Sequence, residues 1–206
     1  MAFKTIDITS RGIITEFSQR EDWNYVDHRL KGILIPESEL QDQIKKLGEE
    51  ITHAYMGRQL KIVPILQGAW MFSSDLLRHV HADIMIDFLE IGSYDRTVST
   101  GKPRISKDLK YPVEGEHVLM IEDIVDTGHT LEFLFNYFNS KGAKTIDIAC
   151  LLNKPSRRKE GFTCPIKYRG FDVPNEFVIG YGLDYEGHYR NLPFLGVLDE
   201  TKLDKK

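Results

Sequence analysis

The chain has 206 residues, 41% of them apolar, which is within the range of one ordinary domain and enough to bury one sizeable core. Its 27 basic and 31 acidic side chains leave a formal net charge of −4, which excludes the broad positive field that generic nucleic-acid or anionic-membrane binding needs. No apolar stretch approaches the roughly 18 residues of a membrane span, and the start, MAFKTIDITSRG, carries no secretory apolar segment. The expectation is a cytoplasmic protein with no nucleic-acid or membrane partner.

In chain order, residues 1–35 read as mixed and irregular. A helical period begins at Pro36, with Leu40, Ile44, Leu47, Ile51 and Tyr55 at spacings of three and four, and stops at Gly57. Short apolar runs follow, each closed by turn signals: Ile62–Leu66, Ile84–Leu89, Val118–Ile121, Ile146–Leu152, Phe177–Ile179 and Phe194–Leu198, all expected to be buried strands. Helical patterns lie between them, over Ala69–Val80 and over Thr130–Ser140, where Leu131, Leu134, Phe135 and Phe138 repeat the helical stripe. This alternation predicts an α/β fold with a mostly parallel sheet flanked by helices, in which ligands collect at the carboxyl ends of the strands. The polar gap Gly92–Lys110, 19 residues without an apolar period, is expected to be a loop, either a functional mobile lid or a disordered segment. No repeat or linker divides residues 1–206, which read as a single domain. Cys150 and Cys164 have no metal-ligand spacing and are expected to be structural thiols.

The segment VLMIEDIVDTGHTL, Val118–Leu131, carries the most chemistry. A strand runs into Glu122 and Asp123, then two apolar residues, then Asp126-Thr127-Gly128-His129-Thr130 and a helix. Free N–H groups at a helix start, the positive end of its dipole and two threonine hydroxyls suit a phosphate. Three carboxylates beside a phosphate repel it unless they hold sugar hydroxyls, a proton or a metal ion. The same residues also fit a capped helix beside a solvated acidic loop. The chain has neither GxGxxG nor GxxxxGK[ST]. A receiver domain also pairs acids at one strand end with a lysine at another, but is shorter and needs no such lid.

As a whole the segment resembles the phosphoribosyl-pyrophosphate motif of the purine phosphoribosyltransferases. Further stretches share the resemblance: Leu66-Gln67-Gly68 at a strand end, Ser93-Tyr94 opening the long loop, Leu151-Leu152-Asn153-Lys154, and Phe177–Tyr185 with Arg190 beyond. Together they are similar to the hypoxanthine-guanine branch from about residue 30 to residue 200. The resemblance implies a type I phosphoribosyltransferase fold with a small hood, a homodimer or homotetramer, and transfer of 5-phosphoribosyl from phosphoribosyl pyrophosphate to N9 of a 6-oxopurine with magnesium.

It also implies roles. Glu122 and Asp123 accept from the ribose hydroxyls and help place a magnesium ion. Asp184 holds a second with the pyrophosphate, and Arg190 pairs with that leaving group. Asp126 is the catalytic proton acceptor near N7. Asp126, Thr127, Gly128, His129 and Thr130 bind the 5′-phosphate, Gln67 and Gly68 the pyrophosphate, and Ser93 and Tyr94 belong to the lid. Phe177 stacks on the purine, the Val178 backbone reads its edge, and Lys154 meets the 6-oxo group. Two positions depart from the family, Gln67 and His129, since both commonly carry a basic residue there. A non-catalytic regulator that senses the sugar pyrophosphate or a nucleotide is the alternative reading.

Overall fold

The computed structural model describes residues 4–13, 29–92 and 103–203. Its elements are β1 (Ile6–Asp7), β2 (Leu30–Ile35), α1 (Glu37–Tyr55), β3 (Gln59–Leu66), α2 (Trp70–Leu77), β4 (Asp83–Ile86), β5 (Leu89–Gly92), β6 (Arg104–Lys107), β7 (His117–Val125), α3 (His129–Ser140), β8 (Thr145–Asn153), β9 (Tyr168–Asp172), β10 (Val178–Ile179) and β11 (Leu195–Leu198).

Strand β7 shows how the layers arise. Successive side chains of a strand point to opposite faces, and here both faces are apolar: Leu119 and Ile121 pack with Leu40, Ile44, Leu47, Ile51, Phe72 and Leu76 of α1 and α2, whereas Val118 and Met120 pack with Leu131, Leu134 and Phe138 of α3. A strand buried on both sides belongs at the centre of a parallel sheet. The eight-stranded sheet has the order β1-β9-β8-β7-β3-β5-β6, with β4 beside β3, and every pairing is parallel except β5 with β6. A second, antiparallel sheet of three strands, β10-β11-β2, forms the hood.

Several expectations need correction. Residues 1–35 are not wholly irregular: Ile6–Asp7 pairs with β9, and Leu30–Ile35 is a hood strand. The run Ile84–Leu89 is two strands, broken where the Asp87 carboxylate accepts from the Lys110 and Tyr111 N–H groups at 2.7 and 3.0 Å. The gap Gly92–Lys110 is not all loop, because Arg104–Lys107 returns antiparallel to β5. Strand β9 went unpredicted, since its YRGFD mixes charges and glycine with apolar residues. Strand β7 runs past Ile121 to Val125, so Glu122 and Asp123 lie inside a strand, where β8 holds Glu122 opposite Cys150 and Val125 opposite Asn153. Cys150 and Cys164 are buried and unpaired, and burial pushes both thiols up from their ordinary value.

Candidate active site

The order β8-β7-β3 places three carboxyl ends side by side: Leu66-Gln67-Gly68 after β3, Glu122–Thr130 on and after β7, and Asn153-Lys154 after β8. The Leu66–Gln67 peptide is cis. A Cβ on Gly68 would overlap the Asp123 carboxylate, and one on Gly182 would overlap the Gly68 carbonyl. Only glycine at both positions lets the Asp123 carboxylate, the Gly68 turn and the Gly182 turn meet, and Gly182 also has φ +101°.

Around this junction stand Asp184 and Arg190. The Asp184 carboxylate pairs with Arg190 Nη2 at 2.8 Å and accepts from the Gly187 N–H at 2.7 Å. Arg190 Nη1 donates to the Gly182 carbonyl at 2.6 Å, and Nη2 reaches the Gln67 Oε1 at 3.5 Å. Gln67, Gly68, Asp123, Asp184 and Arg190 therefore form one wall. Behind it, Tyr181 has φ +49°, is 2% exposed and donates from its hydroxyl to Asp75, so α2 holds the turn that carries Gly182. Sequence reasoning passed over Tyr181, which reads as one more core aromatic.

Burial pushes the Asp123 carboxyl up to about 6, against the pull of the Ile124 N–H, its own N–H and Arg190, with Asp184 adding to the rise. Burial and the neighbouring Asp123 hold Glu122 well above the ordinary carboxylate range. Two desolvated carboxylates with scant cationic compensation fit a hard cation that also takes oxygens from substrate, which is how magnesium is usually held. No protein-only cluster of three or more metal-ligating side chains exists among the described residues.

The loop between β7 and α3 is the second part of the site. Gly128, at φ +90°, caps α3 and offers no side chain to the N–H groups of the first turn. Thr127 Oγ1 and His129 Nδ1 are 2.9 Å apart, and the Thr127 carbonyl accepts from the Lys159 N–H at 3.1 Å. Thr130 lies in the first helical turn, one residue later than the observed helix start.

The third part joins the sheet to the hood. The Lys154 N–H donates to the Val125 carbonyl at 2.9 Å, so the lysine leaves β8 directly beside the β7 end. Its side chain is 8% exposed, and burial pulls its pKa below the ordinary value, while Asp126, Glu200 and Glu176 oppose the fall and Arg157 adds to it. Asp126 pairs with Arg157 Nε at 3.0 Å. Phe177 meets Tyr185 edge to face at 5.8 Å between ring centroids, and its carbonyl accepts from the Leu198 N–H. Val178 is buried in β10. Ser93 and Tyr94 lie outside the described residues. Arg157 and Arg158 were missed by sequence reasoning, although the run Lys154-Pro-Ser-Arg-Arg-Lys159 straight after a strand was an available signal.

Residues 36–186 match the family model of the phosphoribosyl transferase domain. The chain is 44% identical to the hypoxanthine-guanine phosphoribosyltransferase of Bacillus subtilis strain 168, over 83% of this chain and 94% of that protein. It is 45% identical to the bifunctional protein TilS/HprT of Listeria innocua over 82% of this chain, and spans only 26% of that longer protein. Among solved structures, a hypoxanthine phosphoribosyltransferase from Staphylococcus aureus superposes with a TM-score of 0.79 at 42% identity, covering 86% of this chain and 96% of that one.

Proposed function

Because the chain belongs to the phosphoribosyltransferase family and has its type I fold, we propose that it is a purine-salvage pentosyltransferase that converts hypoxanthine or guanine to the nucleoside 5′-monophosphate and releases pyrophosphate. The observation that carries this reading is the convergence at adjacent strand ends of an uncapped helix start, a buried acidic pair and an acid–arginine wall.

In the reaction the purine N9 lone pair forms the bond to ribose C1, the C1–O bond to pyrophosphate breaks with its electron pair, and a purine proton leaves the ring. The Asp126–Thr130 loop anchors the 5′-phosphate, which stays on the sugar and so fixes the reacting carbon. Glu122 and Asp123 accept from the ribose hydroxyls. Glu122 and Asp123 would help hold one magnesium ion and Asp184 a second, and magnesium there would offset the charge of the departing pyrophosphate. The Gln67-Gly68 backbone and Arg190 bind that leaving group, and Arg190 is already turned toward Gln67. Because the recognition there is largely through backbone N–H groups, a neutral Gln67 weakens the subsite without abolishing it.

Asp126 accepts the purine proton at N7. Its pairing with Arg157 places the carboxylate beside Lys154. Lys154, a donor only, meets the 6-oxo group, and the hood supplies Phe177 against the purine face and the Val178 backbone at its edge. The same reading includes a cytoplasmic location, supported by two buried unpaired cysteines, and a homodimer or homotetramer, supported by the exposed Met85, Ile86 and Phe88 on and just after β4. Among the described residues no helix is long and apolar enough to cross a membrane.

The test is pyrophosphate release from phosphoribosyl pyrophosphate and magnesium on adding hypoxanthine or guanine. Tight binding of phosphoribosyl pyrophosphate without purine-dependent release would establish the sensing alternative instead.

A further inference from the structure

Arg158 follows a short 3-10 turn, Pro155–Arg157, and reaches back beneath the loop ahead of α3. Its Nη2 donates to Asn153 Oδ1 and, at 3.5 Å, to the Val125 carbonyl. The flat guanidinium stacks on Phe162, 4.5 Å from the ring centroid. Nη1 is shut off from solvent, has no hydrogen-bond partner among the described residues, and lies 3.2 Å from the point a Gly128 Cβ would occupy. That Cβ would also overlap the Phe162 ring, so the loop backbone rests directly on the Arg158–Phe162 stack.

No carboxylate pairs directly with Arg158 among the described residues, and Asp126 and Asp172 attract it only from a distance. The nearby acids are engaged elsewhere: Asp126 by Arg157 at 3.0 Å, Glu132 by Lys159, and Asp172 by the Asn153 amide at 2.6 Å. Both acceptors that Arg158 does reach are neutral. A partly desolvated guanidinium whose hydrogen bonds reach neutral acceptors only is costly, and distant carboxylates offset only part of that cost. It becomes favourable when an anion arrives nearby, because a Coulomb attraction across a few ångströms of protein is screened far less than in water.

We propose that Arg158 is a positioning residue of the 5′-phosphate subsite, supporting the Thr127-Gly128-His129 backbone from beneath and supplying a fixed positive charge to a loop that carries a histidine rather than a lysine or arginine. The anion it answers is a phosphate monoester bound on the opposite side of that loop. The inference rests on assigning the loop to the 5′-phosphate, and not on the transfer reaction itself.

The test compares the wild-type protein with Arg158→Met and Arg158→Lys by calorimetric titration with GMP, ribose 5-phosphate and guanosine. Loss of a charged interaction with phosphate is expected to weaken GMP and ribose 5-phosphate by roughly 10- to 100-fold in the Met variant, and guanosine by less than about threefold. The Lys variant should regain part of the loss. Equal losses for GMP and guanosine would show a merely structural role and overturn the proposal, as would undiminished GMP binding, or a Lys variant as weak as the Met variant. A wild-type protein that binds ribose 5-phosphate, loses it on Arg158→Met and yet transfers no phosphoribosyl group would sink the reaction and support the role of Arg158. A wild-type protein that binds neither phosphate ester would overturn the role itself.

Discussion

Asp123→Asn should make the ligand-free protein more stable while disabling its site. Burial raises the Asp123 carboxyl to about 6 from an ordinary 3.8, so the folded chain holds that proton more tightly than the unfolded chain does. The cost of ionising it is absent below about 3.8 and complete above about 6. The full difference corresponds to about 3 kcal/mol at neutral pH, and because Asp123 retains some solvent contact, about 1 to 3 kcal/mol is the working figure. Asparagine keeps an Oδ1 acceptor for the Ile124 N–H, which lies at 2.8 Å. It also removes a charge that raises Glu122, so both effects have the same sign. For a chain of this size the gain is a rise of roughly 2 to 10 °C in Tm. Thermal melts in EDTA at pH 7.5 and 4.5 measure it: the rise should be present at pH 7.5 and shrink toward pH 4.5. Magnesium with phosphoribosyl pyrophosphate should stabilise the wild type and leave the variant nearly unmoved. An unchanged or lowered Tm at pH 7.5, or a gain independent of pH, would refute the reasoning.

Asp126→Asn preserves shape and hydrogen bonding, so kcat should fall roughly 10²- to 10⁴-fold with GMP affinity retained; wild-type kcat in steady-state assays would remove Asp126 from that role and leave it the partner of Arg157. Lys154→Ala should lower kcat/KM for hypoxanthine and guanine without a matching loss in any residual adenine reaction, since adenine offers a 6-amino donor to a lysine that can only donate. Equal losses for all purines would place Lys154 outside base recognition.

The sequence showed most clearly what is local. The stripe Leu40, Ile44, Leu47, Ile51 and Tyr55 is buried along α1 as its spacing demands, and the Leu131, Leu134, Phe138 face of α3 packs likewise. What eluded it is held by partners distant in the chain. Strand β9 exists because β8 and β1 flank it, and position 170 needs a glycine there because a Cβ would press on the Leu151 carbonyl. Strand β6, with sequence RISK, has no apolar pattern, and its one recognisable feature is its return along β5. Strand β7 outlasts its apolar run because register with β8 continues past the acids. At the site, the acidic pair, the loop before α3 and the lysine after β8 were readable as motifs. Their mutual arrangement was not: Gly68 against Asp123, Gly182 against Gly68, and Asp126 against Arg157 each join segments far apart in sequence.

The most direct test of the account is a purine panel. Hypoxanthine, guanine, xanthine and adenine are each incubated with the protein, phosphoribosyl pyrophosphate and magnesium, and nucleotide and pyrophosphate are quantified together. The account predicts one pyrophosphate per IMP or GMP formed, with adenine slower than hypoxanthine by more than about tenfold. Pyrophosphate released without nucleotide, or adenine turnover within about tenfold of hypoxanthine, would contradict it.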